Sequence, residues 1–132
     1  MPKSSAPKRV IKKLRSEFPT EFAGDHCGVE QPGEFVATNQ KEWKQMWDAA
    51  HSHMHPIPKA PKLPKGKMAV GIFTGQTSYR TNIGVTGVES ANGTTTVNWE
   101  SGGGHPGGTM ATVMYESYLL KFIDKTDDHV AF

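Results

Sequence analysis

Residues 82–100 read NIGVTGVESANGTTTVNWE, two β-like runs about a turn signal. Asn92 and Gly93 are the pair that best tolerates the positive φ angles of a type I′ turn, so they predict a tight hairpin. Upstream, Ile83 and Val85 alternate with polar residues down to the small Gly87. Val88 breaks that phase, which predicts a β-bulge. Downstream, 94–100 is rich in β-branched residues and forms the return strand.

Upstream of the hairpin, MAVGIF (68–73) predicts a largely buried strand with Met68, Val70 and Ile72 on one face, and GEFVA (33–37) predicts another. TMATVMYESYLLKFID (109–124) is long for one strand and reads as two strands or one bent strand. HVAF (129–132) follows the turn residues Asp127 and Asp128. Between Val10 and Val29, short apolar points separated by Pro19 and Gly24 suit one or two edge strands. Fourteen glycines and nine prolines favour short strands over long helices.

One segment breaks the β pattern. In TNQKEWKQMWDAAH (38–51), Asn39 is placed to cap a helix and Glu42 to complete a capping box by reaching back to the cap amide. Trp43, Met46, Trp47 and Ala50 then fall at i, i+3, i+4 and i+7, a single apolar stripe. The two tryptophans read as the helix's core contact rather than a ligand platform. A helix near 39–53 follows, ending by His55 because Pro56 disfavours helical geometry before it. The fold class is therefore α+β, predominantly antiparallel β, with six to eight strands in a sandwich or partly open barrel and one amphipathic helix. No internal repeat is apparent, and strand order is not readable.

The chain has 132 residues, enough for one domain, and a formal net charge of +2. That charge is unevenly placed. Residues 1–15 hold six bases and no acid, leaving nine bases against thirteen acids, or −4, elsewhere. Residues 1–13 read as a basic disordered tail and 14–132 as a single domain with a Pro/Lys-rich connection at 56–67. The clustered charge could touch nucleic acid or an acidic membrane. Such a run is more often a solvated terminus, so a nucleic-acid partner is not favoured. No apolar run is long enough to span a membrane. With no secretory signal, the sequence reads as cytoplasmic, or as secreted or periplasmic if a signal has been removed.

HSHMHPIPKAPKLPKGK (51–67) raises the possibility of a metal site at His51, His53 and His55. On a strand the three imidazoles would share a face, whereas on a helix His53 points away from the other two. A catalytic zinc would still need a further ligand, such as a remote carboxylate or His105. The favoured reading has no metal and no cofactor. Cys27, the one cysteine, sits in DHCG and reads as a small buried thiol rather than a nucleophile. No serine elbow, phosphate loop, paired CxxC or HExxH occurs, and no catalytic residue is assigned.

The order of features carries more than any motif. A strand through Phe35, then EWKQMW, a proline-rich connection, MAVGIFTG, NIGVTGV, a hairpin, TMATVMYESYLLKF and a terminal VAF follow one another. This order resembles the C-terminal domain of PrcB-type proteins, bacterial factors associated with protease complexes. Gly75, Ile83, Glu100 and Tyr118 fall where that pattern expects them, and the resemblance covers about three quarters of the chain. The sequence departs from it at Gly66-Lys67, where the family carries an Asp-Phe pair, and at Tyr79-Arg80, where it favours a glycine pair. The resemblance implies a non-enzymatic domain that binds a protein partner, a protease or protease complex, as inhibitor or stabiliser. The loop Gln76, Thr77, Ser78, Tyr79, Arg80 is then the part specialised for the partner, with His105 in a glycine-rich loop as a second contact. Tyr and Arg are the residue types enriched in interface hot spots. The alternative is a small metal-binding protein or metal-dependent hydrolase built on the histidine cluster.

Overall fold

The computed structural model describes residues 20–102 and 114–132. Seven strands form two sheets that do not close into a barrel, with one α-helix among the described residues. In chain order the elements are β1 (Glu21–Gly24), β2 (Gly33–Ala37), α1 (Gln40–Ala50), β3 (Lys67–Phe73), β4 (Asn82–Ala91), β5 (Thr94–Gly102), β6 (Tyr118–Asp124) and β7 (His129–Ala131). The first sheet is antiparallel in the order β1-β6-β3-β2. The second has the order β4-β5-β7, with β5 and β7 parallel.

The four-stranded sheet is the middle layer. Ala69 and Phe73 of β3 and Leu120 and Phe122 of β6 pack with Trp43, Met46, Trp47 and Ala50 of α1 on one side. Met68, Val70 and Ile123 pack with Val97 of β5 on the other, flanked by Val36, Val85 and Val130. Both faces of β3 are therefore covered, which is why KMAVGIF is buried from Met68 onward instead of alternating. Phe22 joins the helix side, edge-on to Trp47 with ring centroids 5.2 Å apart and to Phe122 at 5.9 Å.

The hairpin forms as the sequence predicts. Asn92 and Gly93 adopt φ of 54° and 78°. The bulge lies two residues before Val88, at Thr86, where the register shifts between Val85 and Gly87.

The helix is shorter than the 39–53 read from sequence, because His51 already leaves helical geometry at φ −108° and ψ 15°. Ser52 N–H turns back to the Ala49 carbonyl and Met54 N–H to the His51 carbonyl, closing the end with turns well before Pro56. At the other end, Asn39 Oδ1 accepts from Glu42 N–H at 2.8 Å as expected. The return bond differs. Glu42 Oε1 accepts from the N–H and hydroxyl of Thr38, at 2.8 and 2.9 Å, rather than from the cap amide.

The Pro/Lys-rich segment runs back along α1 as a strap. Trp47 Nε1–H donates to the Pro58 carbonyl at 2.8 Å, Trp43 Nε1–H to the Pro61 carbonyl at 2.7 Å, and Leu63 N–H to Gln40 Oε1 at 2.8 Å. Each large indole thus keeps its apolar face in the core and places its one polar group on a proline carbonyl.

Candidate functional site

The loop at 76–81 follows β3 and is tied down along its length. Its entry needs a glycine. Gly75 has φ +75°, and a Cβ there would lie 2.8 Å from Pro32. Gln76 N–H donates to the Glu30 carbonyl at 3.1 Å, and its side-chain amide reaches Glu116 Oε2 at 3.3 Å. Thr77 and Tyr115 exchange both backbone hydrogen bonds at 2.8 Å, a one-pair antiparallel bridge. Thr77 hydroxyl donates to the Tyr79 carbonyl at 2.6 Å, and Thr81 N–H to the hydroxyl of the fully buried Ser117 at 3.1 Å. Between these anchors, Ser78, Tyr79 and Arg80 are exposed. The Arg80 guanidinium pairs with Asp25 at 3.0 Å through Nε while its side chain stays 63% exposed.

Residues that the sequence did not single out complete this face. His26 stacks on Tyr115 with ring centroids 5.4 Å apart and turns Nδ1 toward Glu116 at 3.9 Å. Asp25 and His26 lie in the β1–β2 connection, and Glu116 lies just before β6. Three distant segments therefore converge here, which no local pattern announces. His105 lies outside the described residues, as do the basic residues 1–13.

Cys27 is buried, 3.4 Å from Val29 N–H. Burial pushes its thiol pKa up, with the nearby Glu116 carboxylate adding to the shift and the Val29 contact opposing it. A neutral buried thiol is a poor nucleophile, so the DHCG segment supplies packing rather than an activated sulfur.

The three histidines separate. His51 is buried, stacked on Trp47 with centroids 4.1 Å apart, and its Nδ1 sits 2.8 Å from the Trp47 carbonyl. His53 and His55 are exposed on the turns that follow. Among the described residues no three His, Cys, Asp or Glu side chains are grouped to hold a metal ion. The reason is geometric. The helix stops at Ala50, but the chain then turns instead of extending, so the alternate spacing never becomes a shared strand face.

An open apolar depression lies between α1 and β2, lined by Val29, Phe35, Met46 and Phe73. Glu42 is its one carboxylate, and Thr38 occupies it. No helix among the described residues is long and apolar enough to cross a membrane.

No family model, curated protein or solved structure matches this chain.

Proposed function

We propose that this chain is a protein-binding domain that docks its partner on the 76–81 loop and the face formed by Asp25, His26 and Glu116. One observation carries the reading. Tyr79 and Arg80 are exposed at the middle of a loop whose two ends are fixed by backbone hydrogen bonds to Glu30 and Tyr115 and by the Ser117 hydroxyl. A loop already held in place loses little conformational freedom on binding, and pre-organisation of this kind raises affinity without new contacts. The sequence resemblance to PrcB-type domains supports a protease or protease complex as the partner, bound as inhibitor or stabiliser.

The experiment is capture of proteases on the immobilised full chain, compared with Tyr79→Ala and Arg80→Ala. Each substitution is expected to weaken capture about thirtyfold or more, the scale of an interface hot spot. Undiminished capture by both variants would remove the loop from the interface. Recovery of non-protease partners through an intact loop would retain the binding face and discard the protease.

A further inference from the structure

The strap beside α1 carries a pattern that the fold does not consume. From Pro58 to Gly66 the sequence runs Pro-Lys-Ala, Pro-Lys-Leu, Pro-Lys-Gly. An extended proline-rich chain has three residues per turn, so a triplet repeat assigns each position of the triplet to its own edge. The burial follows that assignment. The third positions, Ala60 and Leu63, pack against the helix-side core. The first positions, Pro58 and Pro61, turn their carbonyls to the tryptophans. The second positions, Lys59 and Lys62, are exposed, and Lys65 continues the series into the turn at Pro64–Lys67.

Lys59 and Lys62 are thus carried on a strap anchored at Pro58, Pro61 and Leu63, where a polyproline rise would space them about 9 Å apart, and Lys65 follows in the turn. No acid occurs between His51 and Lys67. Among the described residues, the lysines in salt bridges are Lys44, Lys67 and Lys121, and none of the strap's three. Immediately before the series, Met54 and Ile57 are each 41% exposed. Two large apolar side chains leading into a row of cations match an anionic interface with an apolar interior. A nucleic-acid backbone would use the lysines but offers nothing to Met54 and Ile57.

We propose that the Met54–Lys65 strap is a docking surface for an anionic lipid bilayer, with Lys59, Lys62 and Lys65 on the headgroups and Met54 and Ile57 entering the acyl boundary. The surface is peripheral and reversible, and it stands independently of the partner loop.

The test is cosedimentation of the full chain with vesicles of phosphatidylglycerol and phosphatidylcholine in equal parts, and with phosphatidylcholine alone. Binding is expected only to the anionic vesicles. Replacing the three lysines by Gln should weaken it roughly a hundredfold, at about fivefold per lysine. Met54→Ser with Ile57→Ser should weaken it roughly tenfold. All five side chains are exposed, and an unchanged tryptophan emission spectrum certifies the fold of each variant. Equal sedimentation of the lysine variant and the parent overturns the proposal, and so does loss confined to a variant neutralised within residues 1–15. If the Met54/Ile57 variant binds vesicles and duplex DNA as the parent does, the strap is a general polyanion site and the lipid assignment fails.

Discussion

Cys27 and Tyr118 share a physical situation whose consequence is measurable. Burial disfavours both the thiolate and the phenolate, so both groups titrate above their ordinary values of 9.0 and 10.0. Below the lower of these values both are neutral in folded and unfolded chains alike and add nothing to the pH dependence. Above it, the unfolded thiol loses its proton while the folded one keeps it. The unfolded state then binds fewer protons, and stability falls as pH rises. We expect the urea midpoint to decline from about pH 9, with Cys27→Ala delaying the decline until Tyr118 ionises in the unfolded chain. A Cys27→Ala profile parallel to that of the parent would assign the alkaline loss to other groups. The same burial predicts slow alkylation of Cys27 at neutral pH and rapid alkylation in urea.

Gly75→Ala places a Cβ at positive φ and into Pro32, and should cost about 1–3 kcal/mol in chemical denaturation. Gly84 has open space around it and an ordinary φ, so Gly84→Ala should be neutral or slightly stabilising. Gly75 enters the reading of the sequence only through the family resemblance, since its clash partner lies 43 positions back in the chain.

At the scale of elements, α1 shows which instructions are local. The Asn39 cap and the Trp43–Ala50 stripe are read from neighbours within one or two turns, and both form as read. Asn39→Ala should cost about 1 kcal/mol by leaving the Glu42 amide without its acceptor. What local reading misses is the strap. The two indole N–H groups needed acceptors, and these came from Pro58 and Pro61, 11 and 18 residues along the chain. The signal was present as the Pro-Lys-x triplet, too short a period to register as a repeat. Trp43→Phe leaves the Pro61 carbonyl without its donor in a partly buried site and should cost about 1–3 kcal/mol. The test has an internal control, because Pro61→Ala keeps the carbonyl and should cost less than the tryptophan change. Equal losses would place the stabilisation in the proline ring instead of the hydrogen bond.

At the scale of the molecule, the arrangement of the sheets was the least legible part. The hairpin β4–β5 pairs neighbours in sequence and is announced by Asn92-Gly93. The pairing of β7 with β5 is parallel and depends on side chains brought together from Thr95, Thr126 and Asp128. The candidate site is similar, since Asp25 meets Arg80 and Gln76 meets Glu116 only after β1, β3 and β6 have aligned. Such contacts follow from strand order, and strand order has no local code.

The same arrangement makes a claim about cooperativity. Met68, Val70 and Ile123 of the first sheet share one apolar layer with Val97 of the second, and Val97 is fully buried. Neither sheet retains that layer if the other leaves, so the two should unfold together. Trp99 of β5 donates Nε1–H to Glu34 of β2 at 3.1 Å, which makes it a reporter of the junction. In a Trp43→Phe, Trp47→Phe background, Trp99 emission and far-ultraviolet dichroism should follow one urea transition. Val97→Ala should shift both curves equally, by about 1–3 kcal/mol for the two methyl groups and the space they leave. If Trp99 responds at lower urea than the dichroism, the hairpin sheet separates first, and the Val70–Val97 layer is a loose contact rather than a shared core.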